Sequence, residues 1–300
     1  MRVGLAGTGK MGSVIALRLH SLGHQVTVWN RSPERAQALL EAGLKWAESP
    51  QALAAASDVI LSLLTNEQAL DDVYLGADGL WSGSVTDQVF IDMSTVKPTQ
   101  QQTMGERAAA VKAAYLECPV SGSVVPAKEG KLIGFVGGDA ALLPRVHALL
   151  DQLCKRVEYV GPLGAGATMK LAVNLPLMVY WQTLGEALSL IEPLHLDPQR
   201  VVDIFSESSG GPNMLKVRGG MIVQALAGTP SELVTVNLAT MRKDVRTMVD
   251  QAALQGRQVP LTAITLANLD QAAASGLDAS DCTQFPVWWL KAKATPASSR

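Results

Sequence analysis

The chain has 300 residues, 48% hydrophobic and 17% charged, with a formal net charge of −2. That length accommodates two domains of ordinary size and a substantial core. The charge balance excludes a basic nucleic-acid footprint and a polyanionic tail, and no apolar run reaches the ~20 residues that cross a bilayer, so neither nucleic acid nor membrane is an expected partner. Cys118, Cys154 and Cys282 are odd in number and far apart, which gives neither a disulfide framework nor a CxxC metal site and suits a reducing compartment. His20, His24, His147 and His195 are equally scattered, so no metal is expected.

The N-terminus, "MRVGLAGTGKMG", enters a glycine fingerprint at once and leaves no room for a removable signal peptide, so the expected location is cytoplasmic. "RVGLAG" predicts a buried strand, and "MGSVIALRLHSLG" repeats apolar residues at helical spacing until Gly23. "QVTVWN" predicts a second strand, and "SPERAQALLEAG" predicts a helix with a Ser-Pro start and a stop at Gly43. "DVILSLL", "VFIDMS", "AAYLECPV" and "LIGFVGG" continue as strands joined by helical stretches. Such alternation predicts an α/β domain: a doubly wound, mostly parallel sheet of Rossmann type over residues 1–162.

After the "GPLGAG" turn strands almost vanish, which predicts an all-α domain over 163–293 and a loose tail at 294–300. Its first segment, "GAGATMKLAVNLPLMVYWQTLGEALSLIEPL", is too apolar for an ordinary surface helix and predicts burial between domains or subunits. "DPQRVVDIFSESSG" and "DVRTMVDQAALQG" predict further helices.

Gly7, Gly9 and Gly12 give GxGxxG between the first strand and first helix. The three glycines suit a tight turn, close backbone approach to a pyrophosphate, and helix–strand packing. The loop from Gly7 to Gly12, including Thr8, Lys10 and Met11, is therefore the candidate cradle for a dinucleotide, with helix N–H groups facing its phosphates. About twenty residues on, an NAD site calls for an acidic side chain on the ribose, but this chain offers Asn30, Arg31 and Ser32. A guanidinium with small polar neighbours suits a 2′-phosphate, so NADP(H) is expected over NAD(H). One charge-assisted hydrogen bond contributes about 1.5–3 kcal/mol, roughly a ten- to hundredfold preference. An exposed arginine at a strand end is the alternative. Leu64, Thr65 and Thr95 follow the carboxyl ends of later strands, where the ligand crevice of such sheets lies.

In "GAGATMKLAVN", Gly166, Lys170 and Asn174 are spaced by four and share one helix face. A lysine in an apolar helix is costly to bury as a cation, and desolvation moves its pKa down from ~10.4 toward the range useful for proton transfer. Asn174 can orient the amine or a substrate hydroxyl, and Gly166 is expected to leave space for a ligand. A snorkelling lysine with a solvated head is the competing reading. Ser121, Gly122 and Ser123 in "PVSGSVVPAKEGKL" can present hydroxyls and N–H groups to a small carboxylate, or form a surface turn. Lys243 and Asp244, adjacent in "TMRKDVR", read either as site residues or as a solvated pair.

Together these motifs resemble the β-hydroxyacid dehydrogenase family, which is similar to 3-hydroxyisobutyrate and 6-phosphogluconate dehydrogenases. "GLAGTGKMG", "DMST", "PVSGS…PAKEGKL", "GAGATMKLAVN" and "RKD" stand in the family's order across almost the whole chain. "VWNRS", "VSGSVVPAKEGKL" and "MKLAVN" look most like the NADPH-dependent glyoxylate/succinic semialdehyde reductases. The resemblance implies Lys170 at the catalytic centre with Asn174 beside it. It implies Ser121 and Gly122 as substrate contacts, Thr95 in a cofactor loop, and Lys243 and Asp244 as the family's KD pair. It also implies a homodimer or homotetramer built through the helical domain. Ser123 and Val173 replace a glycine and an asparagine common in relatives. Val236 and Ala239 stand where the reductases carry phenylalanine and lysine, which points to a reshaped substrate pocket.

The expected reaction passes a hydride from NADPH to the carbonyl carbon of a small carboxylate-bearing aldehyde or keto acid, or in reverse from the hydroxyacid to NADP+, with Lys170 as general acid/base. Two alternatives share the fold. Imine reductases typically carry Asp or Tyr where Lys170 stands, and a non-catalytic NADP-binding protein would have no use for that lysine. A Rossmann-like interaction domain without nucleotide is the third.

Overall fold

The computed structural model describes residues 1–292, so residue 293 and the tail expected at 294–300 lie outside the described residues. The described residues form two compact units that divide after Val173. The first holds a nine-stranded sheet: β1 (Arg2–Ala6), β2 (Gln25–Trp29), β3 (Lys45–Trp46), β4 (Val59–Ser62), β5 (Val89–Asp92), β6 (Ala114–Glu117), β7 (Val120–Ser121), β8 (Leu132–Gly138) and β9 (Cys154–Gly161). From β3 the order runs β2, β1, β4, β5, β6, β8, with β7 and β9 also paired to β8. The first six strands are parallel, as the strand–helix alternation requires. β8 runs antiparallel to β6 and β7 and parallel to β9.

The strands are apolar on both faces because both are covered. Val59, Leu61, Val89 and Ile91 pack into one apolar cluster, whereas Ile60 and Phe90 pack into another. "AAYLECPV" breaks in two at Pro119, which has no N–H for the ladder, leaving β6 and β7. β9 escapes a hydropathy reading: Lys155, Arg156 and Glu158 place charges along an edge strand whose first residue, Cys154, is buried. The "SPER" stretch forms a 3₁₀ turn, Pro33–Ala36, before the helix Gln37–Glu41.

The order reverses at β1, which lies between β2 and β4 while β2 continues to β3. Crevices for ligands lie at such switch points, outside the carboxyl ends of the strands. The long apolar segment is one helix, Ala165–Ile191, that continues through Pro176. The compact units divide at Val173/Asn174, inside this helix rather than at the turn before it.

The second unit is helical: Pro198–Glu207, Asn213–Leu226, Leu238–Leu254, Pro260–Ala272 and Phe285–Lys291 follow the long helix. Trp181 is fully buried, while Gly185 lets the backbone at Pro286 approach, since a Cβ there would sit 3.1 Å from the Pro286 Cα. No helix of the described residues is long and apolar enough to cross a membrane.

Candidate active site

At the carboxyl ends of β1, β2 and β4 the first unit encloses a cavity of about 320 Å³. Gly7, Gly9, Asn30, Arg31, Ser32, Leu64 and Thr65 all line it, so seven of the residues expected at the cofactor stand together. The three glycines divide the work as their spacing implies. Gly7 has φ +101°, and a side chain there would overlap the Leu63 carbonyl. Gly12 lies against the Gly7 carbonyl and leaves no room for a Cβ. Gly9 is different: its φ of −71° suits any residue, and no atom of the described residues lies within 4 Å of the place a Cβ would take. The helix Lys10–Ser21 starts there without a side-chain cap, and the positive end of its dipole favours a ligand anion.

Asn30 acts on the protein rather than outward. Its Oδ1 accepts from the Thr8 N–H at 3.1 Å and its Nδ2 donates to the Ser32 carbonyl at 3.0 Å, fixing the glycine loop to the end of β2. Arg31 is exposed, and Arg35, which the sequence reading passed over, lines the same cavity. Its signal was present: the proline of "RSPER" starts a 3₁₀ turn that carries the second arginine, and both arginines line the cavity. Asp72 and Asp78 supply carboxylates to the cavity from other segments. Thr8 is buried, and its hydroxyl has no protein partner among the described residues. Lys10 is exposed and Met11 half-buried at the start of the helix.

Behind the Leu64–Thr65 loop lies a buried polar network that hydropathy does not reveal. Asp92, at the end of β5, accepts from Ser62 Oγ at 2.6 Å, Ser94 Oγ at 2.7 Å and Gln101 Nε2 at 2.6 Å. Ser94 Oγ in turn accepts the Leu64 N–H at 2.8 Å. Burial pushes the Asp92 carboxyl above the ordinary range, against the pull of these three donors. The network sets the loops that carry Leu64 and Thr95, the latter half-buried.

Lys170 is 9% exposed, as its apolar setting predicts, and Asn174 follows one turn later on the same helix. Gly166 corrects the expectation. A Cβ there would lie 2.5 Å from the Phe135 carbonyl oxygen and 3.0 Å from the Glu117 carboxyl carbon. The missing side chain makes room for the protein itself, not for a ligand. Glu117 ends β6, is fully buried, and accepts backbone N–H groups from Gly164 at 2.5 Å, Gly166 at 3.0 Å and Ala167 at 2.9 Å.

Ser121 lies in β7, paired with Ile133 of β8. Gly122 takes φ +133°, a conformation L side chains avoid, and Ser123 starts the short helix Val124–Glu129 without a side-chain cap. The Ser121–Gly122 turn thus follows four residues after Glu117 and pairs with β8 two residues from Phe135, so this turn and the start of the lysine helix share one scaffold. In the second unit, Lys243 Nζ pairs with Asp244 Oδ1 at 2.8 Å, and Asp244 is buried, which is unlike a solvated surface pair. Val236 donates its N–H to Asp281 Oδ2 at 3.2 Å, and Ala239 lies one turn before Lys243. Among the described residues no group of His, Cys, Asp and Glu is arranged to hold a metal ion.

A family model for the NAD binding domain of 6-phosphogluconate dehydrogenase matches residues 2–161. A second, for NAD-binding of NADP-dependent 3-hydroxyisobutyrate dehydrogenase, matches residues 164–286. The chain is 29% identical to glyoxylate/succinic semialdehyde reductase 2, chloroplastic, of Arabidopsis thaliana, over 93% of this chain and 76% of that protein. It is 32% identical to 3-hydroxyisobutyrate dehydrogenase of Pseudomonas aeruginosa over 70% of each. A solved structure of Psf3 in complex with NADP+ and 2-OPP superposes with a TM-score of 0.85 at 28% identity, covering 95% of this chain and 99% of that one.

Proposed function

Because this chain belongs to the family of 3-hydroxyisobutyrate dehydrogenase-like, NAD(P)-binding oxidoreductases, we propose that it is an NADPH-dependent enzyme interconverting a small β-hydroxyacid and its semialdehyde or keto acid. That it is an NAD(P)-dependent oxidoreductase of small hydroxyacid or semialdehyde substrates follows from the family itself.

The cavity fits a dinucleotide. Gly9 leaves open space at a helix start without a side-chain cap, where the helix dipole favours phosphate oxygens. Arg31 and Arg35, both lining the cavity, suit a 2′-phosphate, and the end of β2 gives the ribose hydroxyls of NAD no carboxylate to grip. The bound cofactor supplies the hydride. Everything else falls to side chains. Lys170, in its poorly hydrated place, transfers the proton at the carbonyl or hydroxyl oxygen. Asn174 orients the amine. The Ser121–Gly122 turn, with Ser123, takes the substrate carboxylate through hydroxyls and backbone N–H groups. The observation that carries this reading is the buried Lys170 on a helix docked to the strand that leads into that turn.

Lys170→Ala is expected to lower kcat about 10²–10⁴-fold while the NADPH Kd, read by fluorescence titration, stays near wild type. A panel of short semialdehydes and hydroxyacids, each with both nicotinamide cofactors, names the substrate. Tight NADPH binding with no turnover of any panel member, or undiminished kcat in Lys170→Ala, sinks the mechanism.

The same reading includes a homodimer or homotetramer. In the second unit Leu261 and Ile264 are 68% and 59% exposed and share a helix face, and Val217 is 76% exposed. Leu261→Lys with Ile264→Lys is expected to shift the light-scattering mass to that of a monomer.

A further inference from the structure

Glu117 reaches the start of the helix Ala165–Ile191 from far away in sequence and answers a need that the helix cannot meet itself. The first N–H groups of any helix lack intrahelical acceptors. Here the preceding residues, Pro162, Leu163 and Gly164, offer no polar side chain, and the Glu117 carboxylate takes three of those N–H groups. The fit is close on all sides. Gly164 turns with φ +95°, Gly166 admits the carboxylate from the helix side, and a Cβ on Gly137 would overlap Glu117 Oε1. Lys170 is the first charged side chain on that helix, one turn beyond Gly166.

We propose that Glu117 is a positioning residue for the reaction: its carboxylate, seated in a slot cleared by Gly137 and Gly166, sets the axial place and rotation of the helix that carries Lys170. The proposal rests on the reading of Lys170 as the proton donor. It assigns the G-x-G before the lysine to helix docking on an internal anion, while the cofactor cavity is held by other residues.

The clamp depends on charge. Burial pushes Glu117 up to about 7; the N–H groups of Ala167, Gly164 and Gly166 pull it down, and Asp92 pushes further up. Asp92 is its register partner on β5. The other titratable neighbours, Tyr115 and Cys118, are driven well above their ordinary values by burial and stay neutral here. Near neutrality the carboxylate is therefore half protonated. Ionised, it accepts all three N–H bonds with the helix dipole behind them. Protonated, it is a weaker acceptor and adds a proton beside those donors. Tightening thus proceeds as pH rises through about 7. Stability runs the other way. The native state keeps a proton that the unfolded chain loses near 4.5, so Glu117 lowers stability between 4.5 and about 7 and adds no further change above.

The test uses the full chain. In wild type the amide ¹⁵N and ¹H shifts of Gly164, Gly166 and Ala167 are expected to move together with a midpoint near 7, and in Glu117→Gln to stay flat. Glu117→Gln is expected to lower kcat about ten- to hundredfold, with NADPH Kd within about twofold of wild type. It should also lose the rate limb near 7. Glu117→Asp keeps the charge and should retain that limb at reduced kcat. Amides that do not titrate overturn the proposal, as does a Gln variant with wild-type kcat and pH profile, or one whose kcat and NADPH affinity collapse together. If Glu117→Gln does not fold, the wild-type amide titration and the Asp variant decide. The two readings fail separately: active Lys170→Ala with titrating amides removes the lysine, and inactive Lys170→Ala with flat amides removes only the clamp.

Discussion

Two helix starts in the first unit carry the same short signal and use it in opposite ways. "GTG" before the helix Lys10–Ser21 and "GAG" before Lys170 both read as glycine turns opening onto a ligand. At Gly9 nothing among the described residues lies within 4 Å of the missing side chain, and the helix start has no side-chain cap. At Gly166 the space is filled by the Glu117 carboxylate and the Phe135 carbonyl. One helix start is left open for a foreign anion, and the other is closed on an anion of the chain's own. A glycine records that something approaches the backbone closely; it does not record what approaches.

Alanine at the two positions separates the cases most sharply. Gly166→Ala must displace a backbone carbonyl or the buried carboxylate, so it is expected to destabilise the protein by about 1–3 kcal/mol, read by denaturant unfolding. Gly9→Ala has an ordinary φ and open space, so the ligand-free protein should unfold as wild type does. Its NADPH affinity should instead fall about tenfold or more, the equivalent of ~1.4 kcal/mol, because the methyl occupies the phosphate approach. Equal stability losses at both positions would erase the distinction.

The arginines of the open site are next in size. Arg31→Ala is expected to cut the ratio of NADPH to NADH efficiency roughly ten- to hundredfold, and Arg35→Ala to cut it less. A ratio unchanged by either substitution means that the 2′-phosphate is held elsewhere. The same substitutions should leave the amide shifts of Gly164, Gly166 and Ala167 alone, since the two helix starts are anchored by separate residues.

Much of this architecture was legible because local rules govern it. Alternating apolar runs marked five of the six parallel strands, and GxGxxG with "NRS" marked five residues of one cavity, to which the strand-end rule added Leu64 and Thr65. Short-range reasoning misses whatever depends on distant partners. Glu117 reads as one more residue of a strand until the chain folds back 47 positions later and lays a helix on it. Asp92 is likewise hidden in "VFIDMS": the donors that let it be buried come from Ser62, Ser94 and Gln101 on three segments. β9 was missed for the opposite reason, since an edge strand keeps its charges in water and loses the apolar signature. Arg35 needed only a local rule, the 3₁₀ turn after Pro33, and was overlooked because the fingerprint names one cation rather than two.

The second unit supplies a control for the comparison, a helix start closed in the ordinary local way. Asp197 Oδ1 accepts from the Gln199 N–H at 2.9 Å and the Arg200 N–H at 3.2 Å, capping the helix Pro198–Glu207 from the adjacent residue on an exposed surface. Asp197→Ala removes that acceptor, and water replaces it in part, so the expected loss is about 1 kcal/mol. Turnover, its pH profile and NADPH affinity should not move. Glu117 performs the same bonding in a site that water cannot refill, on a helix that bears the proposed acid. If Glu117→Gln behaved as Asp197→Ala does, with a small stability loss and unaltered kinetics, the buried carboxylate would be a cap like any other, and the place of Lys170 would be set by something else.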